Sequence, residues 1–224
     1  MRRLGYAEVK TPQLMPLTLW ERSGHWEKFG EAMFTMAEAE ERSMALKPMS
    51  CPCHVALFNR GRRSWRELPL RYAEFGACHR NEPSGALLGL LRTRGFEQDD
   101  THVFCRAEDV AGEVGRFAEL LALVYRELGF SDYKVALSTR PVERAGSDEL
   151  WDWAEATLAE AASRCGLIYG IQPGASRSAK VGNLGGRGTG PALPGGRHGG
   201  NRRCHLLMGD IRLIFSGLRQ PTPK

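Results

Sequence analysis

Two strand-forming segments joined by a turn-rich loop constrain the fold of this chain more than any other feature. The segments are Leu70–Arg80 and Arg94–Phe104, and the loop between them contains Asn81-Glu82-Pro83-Ser84-Gly85. Proline and glycine interrupt regular structure, whereas β-branched and aromatic residues favour strands. This pattern is typical of two antiparallel strands that neighbour each other in one sheet.

Helical patterns surround these strands. Glu108–Leu128 carries apolar residues at three- and four-residue spacing along one face, and Gly129 can end that helix. Ser147 can cap a second helix, Asp148–Arg164. Weaker patterns predict helices at Leu17–Phe29 and Cys53–Arg60, strands at Tyr6–Thr11 and Tyr133–Thr139, and a hairpin that pairs 33–36 with 43–47. Together they predict an α+β fold in which a mostly antiparallel sheet is flanked by helices.

Composition divides the chain into two parts. Residues 1–173 have the mixture of apolar and charged residues expected of a folded core, whereas residues 174–224 are rich in Gly, Arg and Pro. From Ile171 to the end there are nine Lys or Arg and one Asp, so the basic character lies in this tail. Because Gly174–Arg203 holds few apolar residues, we predict disorder there. The apolar residues Leu206–Leu218 are expected to dock elsewhere or to form a strand.

Several classes of protein are excluded by composition. No apolar run approaches the roughly 20 residues of a membrane span, and the first residues contain no signal-peptide core. The six cysteines form no paired framework, so we expect a protein of the reducing cytoplasm with free or metal-bound thiols.

A dense polar stretch covers the end of the first predicted strand and most of the second. Arg80 and Arg92 could bind phosphate oxygens through their planar guanidinium groups, and Phe96 offers a flat face for a base. Since side chains alternate along a strand, Gln98, Asp100 and His102 would share one side and line a polar floor. The alternative is an exposed sheet face with solvated ion pairs, and the residues alone leave both interpretations open.

A metal site is a further hypothesis. Cys51-Pro52-Cys53-His54 offers soft ligands close together, and His102 lies on the predicted floor. The spacing matches no paired zinc-finger pattern. Buried, unreactive cysteines therefore remain an alternative.

Long ordered stretches resemble bacterial-type threonyl-tRNA synthetases, a branch of the class II aminoacyl-tRNA synthetases. They include Leu46-Lys47-Pro48-Met49-Ser50-Cys51-Pro52, Cys78-His79-Arg80-Asn81-Glu82-Pro83-Ser84-Gly85 and Arg94-Gly95-Phe96 followed by Gln98-Asp99-Asp100. The resemblance spans roughly residues 2 to 173. It implies part of a class II catalytic core that activates threonine with ATP and transfers it to tRNA-Thr, using Mg²⁺ and Zn²⁺.

The resemblance also implies roles for individual residues. Arg80 would contact the ATP α-phosphate, Glu82 the adenine and Arg92 the nucleotide phosphates, while Phe96 would stack on the adenine. Gln98 and Asp100 would hold threonine, with Asp100 on its hydroxyl. Cys51 and His102 would be two of three zinc ligands. Pro12 would end a strand that usually belongs to a dimer interface, which implies a homodimer.

The sequence departs from the family after residue 175. Where the family has Gly-Ala-Phe-Tyr-Gly-Pro-Lys, this chain has Gly174-Ala175-Ser176-Arg177-Ser178-Ala179-Lys180, a change that suggests a shifted reading frame. The third zinc ligand and the arginine for the γ-phosphate have no counterpart, and only His198 or His205 could substitute for the ligand. We therefore expect an incomplete core with weak or no ligase activity. The alternative is a non-catalytic paralogue that serves as a regulatory, dimer-partner or RNA-binding subunit.

Overall fold

The computed structural model of the chain describes residues 2–37, 43–61, 63–129, 135–142, 147–174, 180–183 and 211–212. Backbone packing divides the chain into two units, one built mainly from Met1–Ala107 and the other mainly from Glu108–Arg203. The two predicted strands lie in the first unit, and the two longest helices lie in the second.

The first unit is organised around a long antiparallel strand pair. Strand β1 (Ala7–Glu8) lies parallel to β5 (Leu70–His79), which pairs along its whole length with β6 (Gly95–Phe104). In this register Leu70 lies opposite Phe104, and His79 lies opposite Gly95. The prediction of two neighbouring antiparallel strands is therefore confirmed, with ends that differ from the predicted ones by a single residue.

A smaller antiparallel sheet of three strands precedes that pair in the chain. Its order is β2 (Leu14–Pro16), β4 (Ser43–Leu46) and β3 (Thr35–Ala37), so the predicted hairpin is confirmed. Its turn, 38–42, lies outside the described residues. The helix predicted at Leu17–Phe29 is two helices, α1 (Leu17–Arg22) and α2 (His25–Phe29), because Gly24 adopts a φ of 69° that does not continue a right-handed helix.

Helix α3 (Cys51–Phe58) packs on the β5–β6 pair. The Phe58 ring stacks on Phe104 with 4.3 Å between their centroids, and Tyr72 meets Phe104 edge to face. The helix starts two residues before the predicted Cys53, because Pro52 is favourable in a first helical turn. Cys51 is therefore part of the helix.

The second unit contains two long helices and another group of paired strands. Helices α4 (Val110–Glu127) and α5 (Asp148–Arg164) confirm the two clearest helical predictions, and the Ser147 hydroxyl accepts from the Leu150 backbone N–H at 3.4 Å as the predicted cap. The sheet contains β7 (Val135–Ser138), β8 (Tyr169–Gln172), β9 (Lys180–Asn183) and β10 (Ile211–Arg212), in the order β10-β9-β7-β8.

Two expectations differ from this architecture. Disorder was expected throughout Gly174–Arg203, but 180–183 forms strand β9, whose backbone pairs with β7. A glycine-rich segment can gain such ladder hydrogen bonds whatever its side chains bury. The remainder of that segment from residue 175 onward lies outside the described residues. The β7–β8 pair is parallel, and β8 was not predicted at all. Strand β10 agrees with the expected strand in 206–218. In the described part of the chain, no helix has the length and apolarity needed to span a bilayer.

Candidate functional site

The register of β5 and β6 collects the predicted polar residues on one face. Directly opposed residues point to the same side of a sheet, and Cys78 lies opposite Phe96, Gly76 opposite Gln98, Glu74 opposite Asp100 and Tyr72 opposite His102. Gln98, Asp100 and His102 therefore share one face with Phe96, as the alternation of side chains predicted. Helix α3 covers the His102 end of this face.

Three potential metal ligands meet where α3 contacts this face. Cys51, Asp100 and His102 each offer one ligand atom, and these atoms all lie within 4.8 Å of one another. Cys51 is 8% exposed and His102 is 7% exposed, while Asp100 is half-buried. The structure therefore brings the two predicted metal ligands together, and it adds Asp100, which had been predicted only as a threonine contact. Thiolate sulfur, imidazole nitrogen and carboxylate oxygen are the protein ligands that zinc prefers.

A buried hydrogen-bond chain extends from His102 away from these ligands. Nδ1 of His102 lies 2.7 Å from Nδ1 of His54, and Nε2 of His54 lies 2.9 Å from Oε2 of Glu74. Glu74 Oε1 in turn accepts from Lys47 Nζ at 3.1 Å. Lys47, His54 and Glu74 are at most 2% exposed. We call these four residues the relay.

Glu74 is ionised in this environment. Burial by itself raises its pKa, but hydrogen bonds from His54, Thr11 and Lys47 outweigh burial and lower the pKa to about 2. Thr11 donates its backbone N–H to Oε1 at 2.7 Å, and its hydroxyl lies within 3.0 Å of both carboxylate oxygens. The carboxylate is thus surrounded by donors, which is how a buried charge becomes tolerable.

Arg80 and Phe96 lie together at the other end of the same face. The Arg80 guanidinium carbon is 5.0 Å from the centroid of the Phe96 ring, within the range of a cation–π contact. Arg80 Nε also donates to the Pro48 carbonyl at 3.3 Å, and the Arg80 backbone N–H donates to the Arg94 carbonyl at 2.8 Å. The guanidinium group predicted to bind phosphate and the aromatic ring predicted to stack on a base are therefore neighbours.

The loop between β5 and β6 is held by a second set of arginine contacts. Arg92 donates to the Glu82 carboxylate at 2.8 Å, and Arg94 Nε donates to the Glu82 carbonyl at 2.8 Å. Arg92 and Glu82 had been predicted to contact a nucleotide, and in this structure they pair with each other. Arg92 is largely exposed, and a pair of this kind contributes little stability, so a ligand could replace either partner at low cost.

Sequence reasoning missed Lys47, His54, Glu74 and Thr11 as members of the site. One signal for Glu74 was present, because a carboxylate stands between Ala73 and Phe75 inside the otherwise uncharged run Tyr72–Cys78. His54 lies three residues after Cys51, the spacing of one helical turn. His198 and His205, considered as substitute ligands, lie outside the described residues.

Comparison with known proteins identifies the family of the chain. Residues 34–185 match the family described as "tRNA synthetase class II core domain (G, H, P, S and T)". The chain belongs to this family of class II synthetase core domains. The match runs past the domain boundary expected at residue 173 and includes β9.

Three proteins that are similar to this chain carry threonyl names. A threonine–tRNA ligase of Methylococcus capsulatus is 57% identical over 178 residues, which cover 78% of this chain and 28% of the relative. The structure of the RNA binding domain of threonyl-tRNA synthetase from Cryptosporidium parvum Iowa II is 40% identical with a TM-score of 0.75, covering 81% of this chain and 46% of that one. A putative threonyl-tRNA synthetase from Aeropyrum pernix is 36% identical with a TM-score of 0.75, covering 81% and 43%. The resemblance to threonyl-tRNA synthetases and the α+β fold class are thereby confirmed, and the chain spans 28% of the length of the curated relative.

Proposed function

We propose that the chain carries the ATP- and threonine-binding face of a threonine–tRNA ligase, which joins threonine to AMP and then to tRNA-Thr. The observation that supports this best is the single sheet face that gathers Arg80, Phe96, Asp100 and His102, with Cys51 beside His102. Each chemical task of adenylate formation finds a suitable group on that face.

The nucleotide would bind at the Arg80 end of the face. Phe96 would stack on adenine, and Glu82 would accept from its amino group. Arg80 would bind the α-phosphate, and Arg92 would exchange its bond with Glu82 for the outer phosphates. Guanidinium groups suit this task because their fork matches two phosphate oxygens. Mg²⁺ bound with ATP would add positive charge along the phosphates.

Threonine would bind at the Asp100 end. Asp100 would accept from the threonine hydroxyl, and Gln98 would hold the amino acid beside it. Valine has a methyl group in place of that hydroxyl, so it would leave Asp100 without a partner. Sites built to bind a hydroxyl reject analogues that lack it by roughly 10⁴-fold or more.

Zinc fits the residues at this end. The donor set of Cys51, His102 and Asp100 is one that zinc prefers, and its thiol and imidazole members are both shielded from water. Cys51 and His102 would hold the ion, which would supply a positively charged site for the amino and hydroxyl groups of threonine. Asp100 would then stay available for the substrate hydroxyl.

The chemistry follows from this arrangement. An oxygen of the threonine carboxylate attacks the α-phosphorus of ATP, a new P–O bond forms, and the bond to pyrophosphate breaks. Arg80 stabilises the negative charge that develops on the α-phosphate oxygens, where a positioned cation has its largest effect. We place this reaction in the cytoplasm, with tRNA-Thr and a second copy of the chain as partners and with residues 1–173 as the core.

Threonine-dependent exchange of labelled pyrophosphate into ATP tests the proposal. We expect weak exchange that requires threonine and that falls roughly 10²-fold or more in Arg80→Ala, because a positioned charge is lost from the transition state. Arg116→Ala is the matched control, since Arg116 is an exposed arginine paired only loosely with Glu113 at 3.8 Å, and it should exchange like the unsubstituted chain.

The outcomes separate the two classes of function. Binding of ATP and threonine without exchange would identify a catalytic core that ligates poorly or not at all, whereas dimerisation with neither binding nor exchange would favour the non-catalytic paralogue. A chain that binds neither ligand would contradict the proposal altogether.

A further inference from the structure

Arginines and one exposed tryptophan are concentrated in the segment between α3 and β5. Residues 60–71 hold five arginines and a single glutamate. Trp65 begins a short 3₁₀ turn, Trp65–Glu67, and is 61% exposed. Tryptophan and arginine are the residues that most often anchor binding interfaces. This segment is therefore a candidate contact surface.

Two guanidinium groups lie against the Trp65 ring. The guanidinium carbons of Arg66 and Arg106 are 5.0 Å and 5.8 Å from the centroid of that ring, both within the range of a cation–π contact. Trp65 precedes β5 and Arg106 follows β6, so the cluster lies at the end of the strand pair where Leu70 is opposite Phe104. We call Trp65, Arg66 and Arg106 the basic surface.

The acidic residue of the segment does not neutralise Arg66. Glu67 accepts from the Ser64 backbone N–H at 2.7 Å and lies 3.6 Å from Arg63. Within the described part of the chain, Arg66 has no carboxylate partner, and its guanidinium contacts the Trp65 ring. Two cations held against one ring also repel each other, and an anion bound between them would relieve that repulsion. The electrostatics of the basic surface therefore favour an anionic partner.

The basic surface is well separated from the proposed nucleotide site. Arg80 follows the last residue of β5, whereas Trp65 precedes the first, and β5 is ten residues long. At the rise of a β-strand, these ends are roughly 30 Å apart. ATP held by Arg80 and Phe96 cannot extend that far. An RNA chain can, because its phosphates repeat along its whole length.

We propose that the basic surface binds an RNA strand, with Arg66 and Arg106 on backbone phosphates and the Trp65 indole against a nucleoside. The inference rests on the proposed function only for the identity of that RNA as tRNA-Thr. Guanidinium forks match phosphate oxygens, which explains the arginines. Aromatic rings and guanidinium planes are also the surfaces on which proteins stack unpaired bases, which explains the exposed indole.

The salt dependence of RNA binding tests the role of Arg66. The full chain is titrated into a fluorescently labelled tRNA-Thr transcript at several salt concentrations, without ATP or threonine. Loss of one phosphate contact in Arg66→Ala should reduce the slope of log affinity against log salt by about 1. At roughly 0.1 M salt the affinity should fall by about 5- to 10-fold.

The same titration separates the tryptophan from the arginine. Trp65→Ala removes a stacking surface but no charge, so the affinity should fall roughly 5-fold or more while the salt slope stays nearly unchanged. Arg164→Ala is the matched control for charge, because Arg164 is an exposed arginine on α5, 3.8 Å from Glu160. It should keep both the affinity and the slope.

Pyrophosphate exchange distinguishes this inference from the proposed function, because exchange requires no RNA. Arg66→Ala should exchange like the unsubstituted chain. RNA binding that depends on Arg66 in a chain without exchange would support the basic surface and contradict the ligase.

Three results would overturn the inference. The first is unchanged affinity and slope in an Arg66→Ala chain whose circular dichroism shows that it is folded. The second is equal weakening in Arg164→Ala, which would show that net charge alone governs binding. The third is unchanged RNA affinity in Arg66→Ala together with lost self-association in sedimentation, which would assign the surface to a contact between copies of the chain.

Discussion

Lys47 and Glu74 form an ion pair of 3.1 Å in which neither side chain is more than 2% exposed. Lys47 follows β4, and Glu74 lies in the middle of β5, so the pair joins the two sheets of the first unit. Thr11 binds both members, since Lys47 Nζ also donates to its hydroxyl at 2.9 Å. Because Glu74 also anchors His54, the ion pair connects the core of this unit to the candidate metal site.

Removing the Lys47 cation from this pair should destabilise the folded chain. Lys47→Met leaves Glu74 charged and buried with one donor fewer, and breaking a buried pair in this way typically costs about 3–5 kcal/mol. We expect a loss of that order in the free energy of unfolding, measured by urea titration at pH 7. In Lys47→Met/Glu74→Gln the uncompensated charge is gone, so the double variant should lose clearly less than the sum of the two single variants.

The matched control for that cycle is the exposed pair of Arg164 and Glu160, 3.8 Å apart. Arg164→Met and Glu160→Gln should each change stability by less than about 0.5 kcal/mol and should add without coupling. Equal effects at the two pairs would show that burial does not govern the Lys47–Glu74 interaction.

Stability should also fall in acid through Glu74. Its pKa is lowered from 4.5 to about 2 in the folded chain, so its contribution is fully present above pH 4.5 and is lost as the pH falls toward 2. The shift corresponds to a stabilisation on the order of 3 kcal/mol.

Urea unfolding between pH 7 and pH 3 measures this contribution. Glu74→Gln should be less stable at pH 7 and should lose less stability on acidification than the unsubstituted chain. Glu67→Gln, at a largely exposed carboxylate, should follow the unsubstituted curve. A Glu74→Gln curve parallel to that of the unsubstituted chain would contradict the assignment.

The sequence predicted the face of the site well because strand alternation is a local property. Once β5 and β6 are antiparallel neighbours, Phe96, Gln98, Asp100 and His102 must share a side. The pairing of Cys51 with His102 was implied by resemblance alone, since the spacing of these two residues matches no paired zinc-finger pattern.

The relay could not be predicted in the same way. It depends on which turn of α3 lies over which residue of β5, and that is decided by packing such as the stack of Phe58 on Phe104. Strands β8 and β9 were missed for a related reason, because their four-residue segments become strands only through backbone pairing with β7. Gly24 separates the predicted helix into α1 and α2 because its φ is 69°. The spacing of apolar residues does not indicate such a backbone angle.

Gly76 of β5 lies close to Ser50, the residue before α3, and this close approach gives a further prediction. A Cβ built there would lie 2.8 Å from the Ser50 hydroxyl oxygen, just before the first turn of α3. Gly76→Ala should therefore push α3 away from β5, with a cost of about 1–3 kcal/mol from overpacking and weaker zinc binding.

Thermal unfolding and zinc titration of Gly76→Ala check both effects. Gly85→Ala, where a Cβ meets nothing within 4 Å, should change neither quantity. Ser50→Ala in the Gly76→Ala background should recover part of the stability because it removes the clashing oxygen. Wild-type zinc affinity in a destabilised Gly76→Ala would mean that α3 does not position Cys51.

Binding of a non-hydrolysable threonyl-adenylate analogue tests the central claim most directly, because that one ligand occupies the ATP and threonine parts of the face together. Calorimetry on the zinc-loaded chain should show that the threonyl analogue binds more tightly than the valyl analogue, by up to about 10⁴-fold. Asp100→Asn should remove most of that preference, while Arg80→Ala should weaken both analogues alike. Equal affinity for the two analogues in the unsubstituted chain would contradict the assignment of this face to threonine and ATP.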